Sequence, residues 1–299
     1  MQDNFFIKGK TCLVTGSNSG IGKHTALELA KMGAKIVMGC RNKKRGQEAL
    51  NDIITKSGNN SVELMILDLS SLKSIRQFKK DFENKYKRLD VLINNAGVHN
   101  LSRMETIDGF EINFQINYLG PFLLTNLLLD IIKESSPSRI INVSSRYLKY
   151  GTINFDDLQS KNYIVTVRNG SLAYCQSKLA LALFTFELAE RLKNTHVSVN
   201  CLCPGYVRKD NSKNVNKKQS PFYIKIAKKL FIRYKNPDEG AETSIYLASS
   251  PEVEGITGKF FENKKISPKY LKYYDKDITK RLWYISEKLT EFKSEKEIK

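Results

Sequence analysis

Short apolar runs alternate along the chain with longer stretches in which apolar residues recur every three to four positions. The runs are Thr11–Thr15, Lys35–Gly39, Val62–Leu67, Asp90–Ile93, Arg139–Val143 and Val197–Cys201, with Gly258–Phe261 as a seventh. Most are short and nearly all apolar, the pattern of strands buried on both faces of a parallel sheet. Helical periodicity fills the intervals Gly20–Met32, Asn42–Lys56, Leu72–Tyr86, Gly109–Lys133 and Leu172–Lys193. Gly33 and Gly58 stand where helix stops are wanted. Strand–helix repetition at this spacing predicts an α/β fold with a doubly wound, seven-stranded parallel sheet. No internal repeat and no linker rich in Pro, Gly or Ser divides the chain. The simplest organisation is one domain over residues 1–265, including a substrate lid at about 206–237, and a basic helical extension over 266–299.

Composition narrows the class without changing the fold. The 299 residues are 41% hydrophobic and 27% charged, as for a globular chain and not for a disordered or fibrous one. The longest apolar stretch, Leu119 to Ile132, is interrupted by Thr125, Asn126 and Asp130, so it falls short of the roughly 18 apolar residues that a membrane span needs. The first ten residues carry no secretory apolar core, and the expected location is the cytoplasm, with peripheral contact to a membrane surface left open. The five cysteines form no C-x-x-C pair, which fits reduced thiols and argues against a zinc site.

Net charge is +18, and 37 of the 49 basic residues are Lys. Such a balance suits a nucleic-acid or anionic-membrane partner. However, the lysines are dispersed and no nucleic-acid motif is present, so no nucleic-acid partner is expected. The residues from 207 onward carry 22 basic against 13 acidic side chains, the one asymmetry along the chain. Within them, 220–233 mixes Phe222, Ile226, Leu230 and Phe231 with Lys225, Lys228, Lys229 and Arg233. That mixture reads either as a cap that also touches a membrane surface or as an ordinary lid helix with solvated lysines.

In open parallel sheets, ligands bind beyond the carboxyl ends of the strands. The first strand there runs into Gly16-Ser17-Asn18-Ser19-Gly20-Ile21-Gly22 and then a helix. Glycines let the backbone approach a pyrophosphate, and the helix N-terminus supplies free N–H groups. The second strand ends at Gly39-Cys40-Arg41, with no Asp or Glu to hold a ribose 2′-hydroxyl. A guanidinium at that point pairs bidentately with a 2′-phosphate, so Arg41 points to NADP(H). Asp68, before Leu69, either accepts from an adenine amino group or caps the helix beginning near Ser71. The small residues of Asn94-Asn95-Ala96-Gly97 let a flat ligand lie close to the backbone.

Tyr174 and Lys178 are four apart in a helical pattern and share a face. An ammonium near a phenol favours the phenolate, which would make Tyr174 usable as an acid/base. Ser144-Ser145 follows a strand at the carboxyl edge of the sheet, where a hydroxyl can meet a carbonyl oxygen. Asn117 lies inside a helical stretch, where an amide is a poor choice for stability, and would hold a water between Lys178 and solvent.

Taken together these residues resemble the short-chain dehydrogenase/reductase family. The resemblance rests on Thr15-Gly16-x-x-x-Gly20-x-Gly22, Asp68, Asn94-Asn95-Ala96-Gly97, Asn117, Ser145, Tyr174-x-x-x-Lys178 and Pro204-Gly205, in the family's order over about residues 8 to 262. A narrower likeness, to the retinol dehydrogenase-like branch, is carried by Cys40-Arg41-Asn42, the run from Gln115 to Leu129, Leu172-Ala-Tyr-Cys-x-Ser-Lys-Leu179, Thr243 to Ala248 and Gly255 to Phe261.

The resemblance implies a Rossmann-type fold and an Asn117–Ser145–Tyr174–Lys178 tetrad. It implies a cofactor bound by Gly16, Ser17, Asn18, Gly20, Ile21, Gly22, Arg41, Asp68, Leu69, Asn95, Ala96, Gly97, Tyr174, Lys178, Pro204, Gly205 and Val207. It further implies NADP(H)-dependent exchange of hydride with an apolar alcohol, aldehyde or ketone; the helices 109–133 and 172–193 commonly form a dimer face in the family, which leaves a homodimer open. A catalytically weak NADPH-binding sensor of the same fold is the alternative, supported by Lys209 where the family often has Thr. Two further departures stand out. Cys203 occupies a place where many branch members have His, and 28 residues separate Ser145 from Tyr174. Tyr147, Tyr150, Phe155 and Tyr163 in that insert either line an apolar pocket or anchor the loop to the body.

Overall fold

The computed structural model describes residues 7–162, 165–166, 170–208 and 234–292. Its first half follows the strand–helix alternation closely: β1 (Thr11–Thr15), α1 (Gly20–Lys31), β2 (Lys35–Cys40), α2 (Lys43–Ser57), β3 (Val62–Ile66), α3 (Leu72–Lys85) and β4 (Val91–Asn94). Next come α4 (Ile112–Phe114), a π-helical turn (Gln115–Leu119), α5 (Gly120–Leu127), α6 (Leu129–Glu134), β5 (Ser138–Val143), the two-residue strands β6 (Val165–Thr166) and β7 (Gly170–Ser171), and α7 (Leu172–Arg191). The chain continues through β8 (Val197–Cys203), α8 (Pro237–Ser249), β9 (Lys259–Glu262), β10 (Lys265–Ile266) and α9 (Lys276–Leu289). Asn42 and Ser71 start α2 and α3 as N-caps, accepting from the N–H of Arg45 and Ser74, and Gly58 ends α2 in the left-handed conformation.

The main sheet has the order β10-β9-β8-β5-β4-β1-β2-β3. The neighbours from β3 to β9 are parallel, and β10 pairs antiparallel with β9. The sheet therefore has eight strands, against the seven expected from the apolar runs. The extra strand is a hairpin return through Asn263 and Lys264, both with positive φ, the geometry of a two-residue hairpin turn. Lys264 stands where glycine usually marks such a turn, and both residues of β10 are exposed, so no apolar run announces the strand.

Helices cover both faces. α1, α2 and α8 pack over Val14, Ile36, Met38, Val91 and Ile93. On the other face α3, the helical stretch 112–134, α7 and α9 pack over Leu13, Val37, Leu92 and Ile140. α7 is buried along most of its length, because the sheet lies beneath it and α9 covers its outer side. There Trp283 meets Phe122 and Phe184 at ring separations of 5.1 and 5.7 Å, and the Arg191 guanidinium lies 4.0 Å from the Trp283 ring centre. Tyr118 and Ser286 hydroxyls share a hydrogen bond of 2.6 Å, and Arg76 donates to the carbonyl oxygen of Thr290 at the end of α9. The last helix is thus part of the main core.

The strand order reverses between β1 and β4, and a crevice opens there at the carboxyl ends of the strands, as expected for doubly wound sheets. A ladder of buried amides ties β4 and β5 to each other and to α5 and α7. The Asn94 amide donates to Thr125 Oγ1 at 2.9 Å and Asn142 Oδ1 at 2.8 Å, and Asn142 donates to Thr185 Oγ1 at 2.9 Å. Among the described residues no helix is long and apolar enough to cross a membrane.

Candidate active site

A cleft of about 360 Å³ lies at this switch point. Gly16, Asn18, Ile21, Gly22, Arg41, Asp68, Leu69, Asn95, Ala96 and Gly97 line it, as the sequence leads one to expect. Thr15, Asn42, Arg45, Val98 and Ile116 also line it and are not among the cofactor-binding residues expected from the sequence.

Two glycines leave no room for alternatives. Gly16 has φ +67°, and a Cβ on it would stand 2.9 Å from the Cα of Ala96. A Cβ on Gly22 would stand 2.5 Å from the carbonyl oxygen of Gly16. Thr15 Oγ1 accepts from the N–H groups of Asn95 and Ala96, each at 3.0 Å, and the Asn95 amide donates to the Thr15 carbonyl at 2.8 Å. β1 and β4 are therefore latched where the cleft begins. The Ser17 side chain is buried, donating to the Val14 carbonyl at 2.9 Å. Gly20, at φ +55°, shapes the turn without lining the cleft.

The two alternatives for Asp68 separate. Ser71 is the N-cap of α3, while Asp68 Oδ1 accepts from the backbone N–H and the hydroxyl of Ser70 at 3.0 and 2.6 Å. Asp68 thus faces the cleft and is its one carboxylate among the described residues.

Ser145, Tyr174 and Lys178 come together beside Gly97. Ser145 opens the short helical turn after β5, accepting from the Tyr147 N–H at 3.2 Å, and its hydroxyl faces the Tyr174 phenol. The first turn of α7 carries Tyr174. Burial raises the Tyr174 pKa above the phenol range, and the neighbouring Ser145 hydroxyl works against that shift. The expected lowering by Lys178 is not what this geometry gives: the Lys178 ammonium lies 5.9 Å from the Tyr174 ring centre and donates to the Val143 carbonyl at 2.9 Å. Burial pushes the Lys178 pKa down to about 8.

Asn117 sits in the π-turn, fully buried. Its Oδ1 accepts from the Val98 N–H at 2.8 Å. Its Nδ2 donates to the Val98 carbonyl at 2.9 Å and to Ser177 Oγ at 3.0 Å. Both donors of the amide are used by these partners, while its oxygen accepts one of the two bonds it can take. Asn117 Oδ1 and Lys178 Nζ nevertheless converge on Gly97, where a Cβ would stand 3.1 and 3.3 Å from them.

Pro204 and Gly205 follow β8, and Val207 bridges to Lys235. Val207 packs on Gly240, which also faces Ile21, so this segment closes against the start of α1. Lys209, Tyr163 and the 220–233 segment lie outside the described residues.

The sequence did not single out His99 or Arg146, and it noted Cys203 only as a departure. The His99 ring stacks on Tyr174 with centres 4.1 Å apart and planes at 25°. Arg146 lies 4.7 Å from the Tyr206 ring and 3.7 Å from the Glu262 carboxylate. The Cys203 thiol, buried beside them, accepts from the Gly205 N–H at 3.4 Å. None of the three lies in a recognisable local motif. Tyr147 stands edge-on to Tyr174 and Tyr206, each at 6.1 Å, and meets Tyr150 at 6.1 Å. Phe155 instead joins the main core under Arg281. The insert thus divides: its start faces the site, and Phe155 anchors it.

A backbone cradle that a single Cβ would fill, a basic end to the cleft, and a Ser–Tyr–Lys cluster beside it fit a nicotinamide dinucleotide. This combination defines a Rossmann-type dehydrogenase. The chain belongs to the short chain dehydrogenase family, whose model matches residues 10–156 and 160–220; it is an oxidoreductase of alcohol and carbonyl groups that uses a nicotinamide cofactor. It is 45% identical to human retinol dehydrogenase 14 over 300 aligned residues, covering 95% of this chain and 87% of that protein. Human retinol dehydrogenase 13 is 44% identical, with coverage of 95% and 85%. Among solved structures, an uncharacterized protein from Mycobacterium paratuberculosis superposes with a TM-score of 0.72 at 32% identity, covering 95% of this chain and 94% of that one. A short-chain type dehydrogenase/reductase from Mycobacterium marinum shares the fold, with a TM-score of 0.67 at 22% identity over 85% and 94% of the two chains.

Proposed function

We propose that the chain interconverts a lipophilic alcohol and its aldehyde or ketone, of the retinol/retinal kind or another apolar carbonyl, with NADP(H). The observation that carries this reading is the convergence of Ser145, Tyr174 and Lys178 at the carboxyl end of β5, beside a cleft whose far end is lined by Arg41 and Arg45. The names of the related retinol dehydrogenases support the substrate class. The preference for NADP(H) is supported by the guanidinium at the end of β2, where no carboxylate stands.

The glycine turn and the N-terminus of α1 would hold the pyrophosphate, Arg41 the 2′-phosphate, and Asp68 and Leu69 the adenine. Asn95, Ala96 and Gly97 would floor the site, and Pro204, Gly205 and Val207 would close over the nicotinamide end. When bound, the nicotinamide supplies or accepts the hydride. Tyr174 donates its phenolic proton to the carbonyl oxygen in reduction and takes it back in oxidation. An ordinary phenol is protonated at neutral pH, and burial raises the Tyr174 pKa further. Ser145 donates to the same oxygen as negative charge develops on it. Lys178, tied to Val143 by one of its three donors, has two left to orient the cofactor ribose. Tyr147, Tyr150 and Tyr206 form the apolar rim against which a hydrocarbon skeleton is held.

The test is NADPH oxidation, followed spectrophotometrically, with all-trans-retinal and a panel of medium-chain aldehydes, and NADH as control. Wild type is expected to turn over at least one of them, with NADPH well ahead of NADH. Tyr174→Phe is expected to lose about 10²- to 10⁴-fold in kcat, the usual contribution of a general acid. Full activity in the variant would remove Tyr174 from the chemistry, and tight NADPH binding without turnover would favour a sensor.

A further inference from the structure

We infer that His99 is a positioning residue for Tyr174, holding the phenol ring by face-to-face stacking. The inference rests on the reading of Tyr174 as the acid/base. Tyr174 sits in the first turn of its helix, where χ2 of a tyrosine is a soft, two-fold torsion, yet its hydroxyl has to reach Ser145 and the reacting oxygen together. Tyr147 meets the ring edge-on and Lys178 stands 5.9 Å from its centre. Among the described residues, the one aromatic ring laid flat on it is His99, at 4.1 Å and 25°.

The placement of His99 is built from both sides. Asn117 grips the residue before it, bonding both the N–H and the carbonyl of Val98 at 2.8 and 2.9 Å. Asn113 grips the residue after it: its Oδ1 accepts from the Asn100 N–H at 2.8 Å, and its Nδ2 donates to the Asn100 carbonyl at 3.2 Å. Glu111 accepts from the Asn113 amide at 2.7 Å and from the Phe114 N–H at 2.7 Å. Both asparagines and Glu111 are fully buried. Two side chains from one helical stretch therefore imitate a strand partner and present His99, otherwise exposed, to the Tyr174 ring. This also explains the buried Asn113 and Asn117, which are costly choices for a helix unless their amides are used.

The test compares wild type, His99→Ala and His99→Phe. Turnover of all-trans-retinal and decanal with NADPH is measured together with the ring-proton resonances of labelled tyrosine, the Tyr174 signal being assigned by its loss in Tyr174→Phe. His99→Ala is expected to lower kcat by about ten-fold, since small misplacements of a reacting group are costly, while KM for NADPH stays within about two-fold. Its Tyr174 signal is expected to lose the ring-current shift of the stacked imidazole and to broaden. His99→Phe keeps a flat ring at the same place and is expected to restore kcat and the shifted signal. If His99→Ala leaves kcat and the Tyr174 resonance unchanged, or if His99→Phe fails as badly as alanine in both, the stacking role is overturned. Should Tyr174→Phe itself remain active, or wild type turn over neither aldehyde, the acid/base reading is at fault. The resonance comparison then decides alone whether His99 holds the ring.

Discussion

Lys178 Nζ donates to the carbonyl oxygen of Val143 at 2.9 Å, so the ammonium is tied to the end of β5 and not to the Tyr174 hydroxyl. It is only 4% exposed. An ammonium in that position loses hydration that one carbonyl does not replace, and its pKa falls to about 8.

The stability of the fold should therefore respond to pH through this one group. Lys178 titrates near the ordinary value of about 10.4 in the unfolded chain but at about 8 in the folded one. Between those values the unfolded chain binds more protons, so the contribution of Lys178 to stability rises with pH across that window. Below it, the full burial penalty applies. Relative to Lys178→Met, wild type is expected to gain stability between about pH 8 and pH 10, by an amount on the order of a few kcal/mol. Urea unfolding of both proteins at pH 7, 8.5 and 10 measures it. The buried tyrosines and cysteines, whose raised pKa values act oppositely, largely cancel in the difference. A difference constant with pH would show that Lys178 is not charged and buried as described.

Arg41 should decide the choice between the two nicotinamide dinucleotides. A charge-assisted hydrogen bond to a phosphate is worth about 1.5–3 kcal/mol. Arg41→Ala is expected to raise KM for NADPH by about 10- to 100-fold, with KM for NADH within about two-fold. Equal losses for both would place Arg41 in the framework of the turn and not on a 2′-phosphate.

Trp283 should carry much of the attachment of α9. It packs against Phe122 and Phe184, which also meet each other, supports Arg191 on its face, and its indole N–H donates to Glu287 at 2.8 Å. Trp283→Ala is expected to cost about 3–5 kcal/mol, read as a fall in the urea midpoint. NADPH affinity under native conditions should stay unchanged, because the cofactor cleft lies at the switch point and α9 packs elsewhere. A variant of near wild-type stability would mean that α9 is held mainly at its C-terminal end, where Tyr118 meets Ser286 and Arg76 meets Thr290.

Much of the site was legible in the sequence because its signals are local. A tight turn between a strand and a helix needs glycine at Gly16 whatever lies around it, since the positive φ belongs to the residue itself. Tyr174 and Lys178 share a helix face by spacing alone. Asp68 shows the limit: its two readings could be separated only when Ser71 was seen to hold the cap. The π-turn at Gln115–Leu119 was not legible either. A continuous helix was expected from Gly109, whereas Gly109 lies in a turn at φ +80° and the helical stretch begins at Ile112.

The sequence by itself determined the alternation of strand and helix, the mostly parallel sheet, the glycine cradle and the placing of Tyr174 and Lys178 on one helix face. Each rests on residues within a few positions of one another, where periodicity and backbone sterics act directly. Only the tertiary structure decided the partners that come from distant parts of the chain. His99 meets Tyr174 because β4 and α7 converge at the carboxyl edge of the sheet. The lysine reaches Val143 because α7 packs over β5, and Trp283 covers α7 because the chain returns across that face after β10. Burial then assigns values to these meetings: the same tyrosine and lysine that would titrate ordinarily in water have their pKa values displaced in opposite directions where water is excluded.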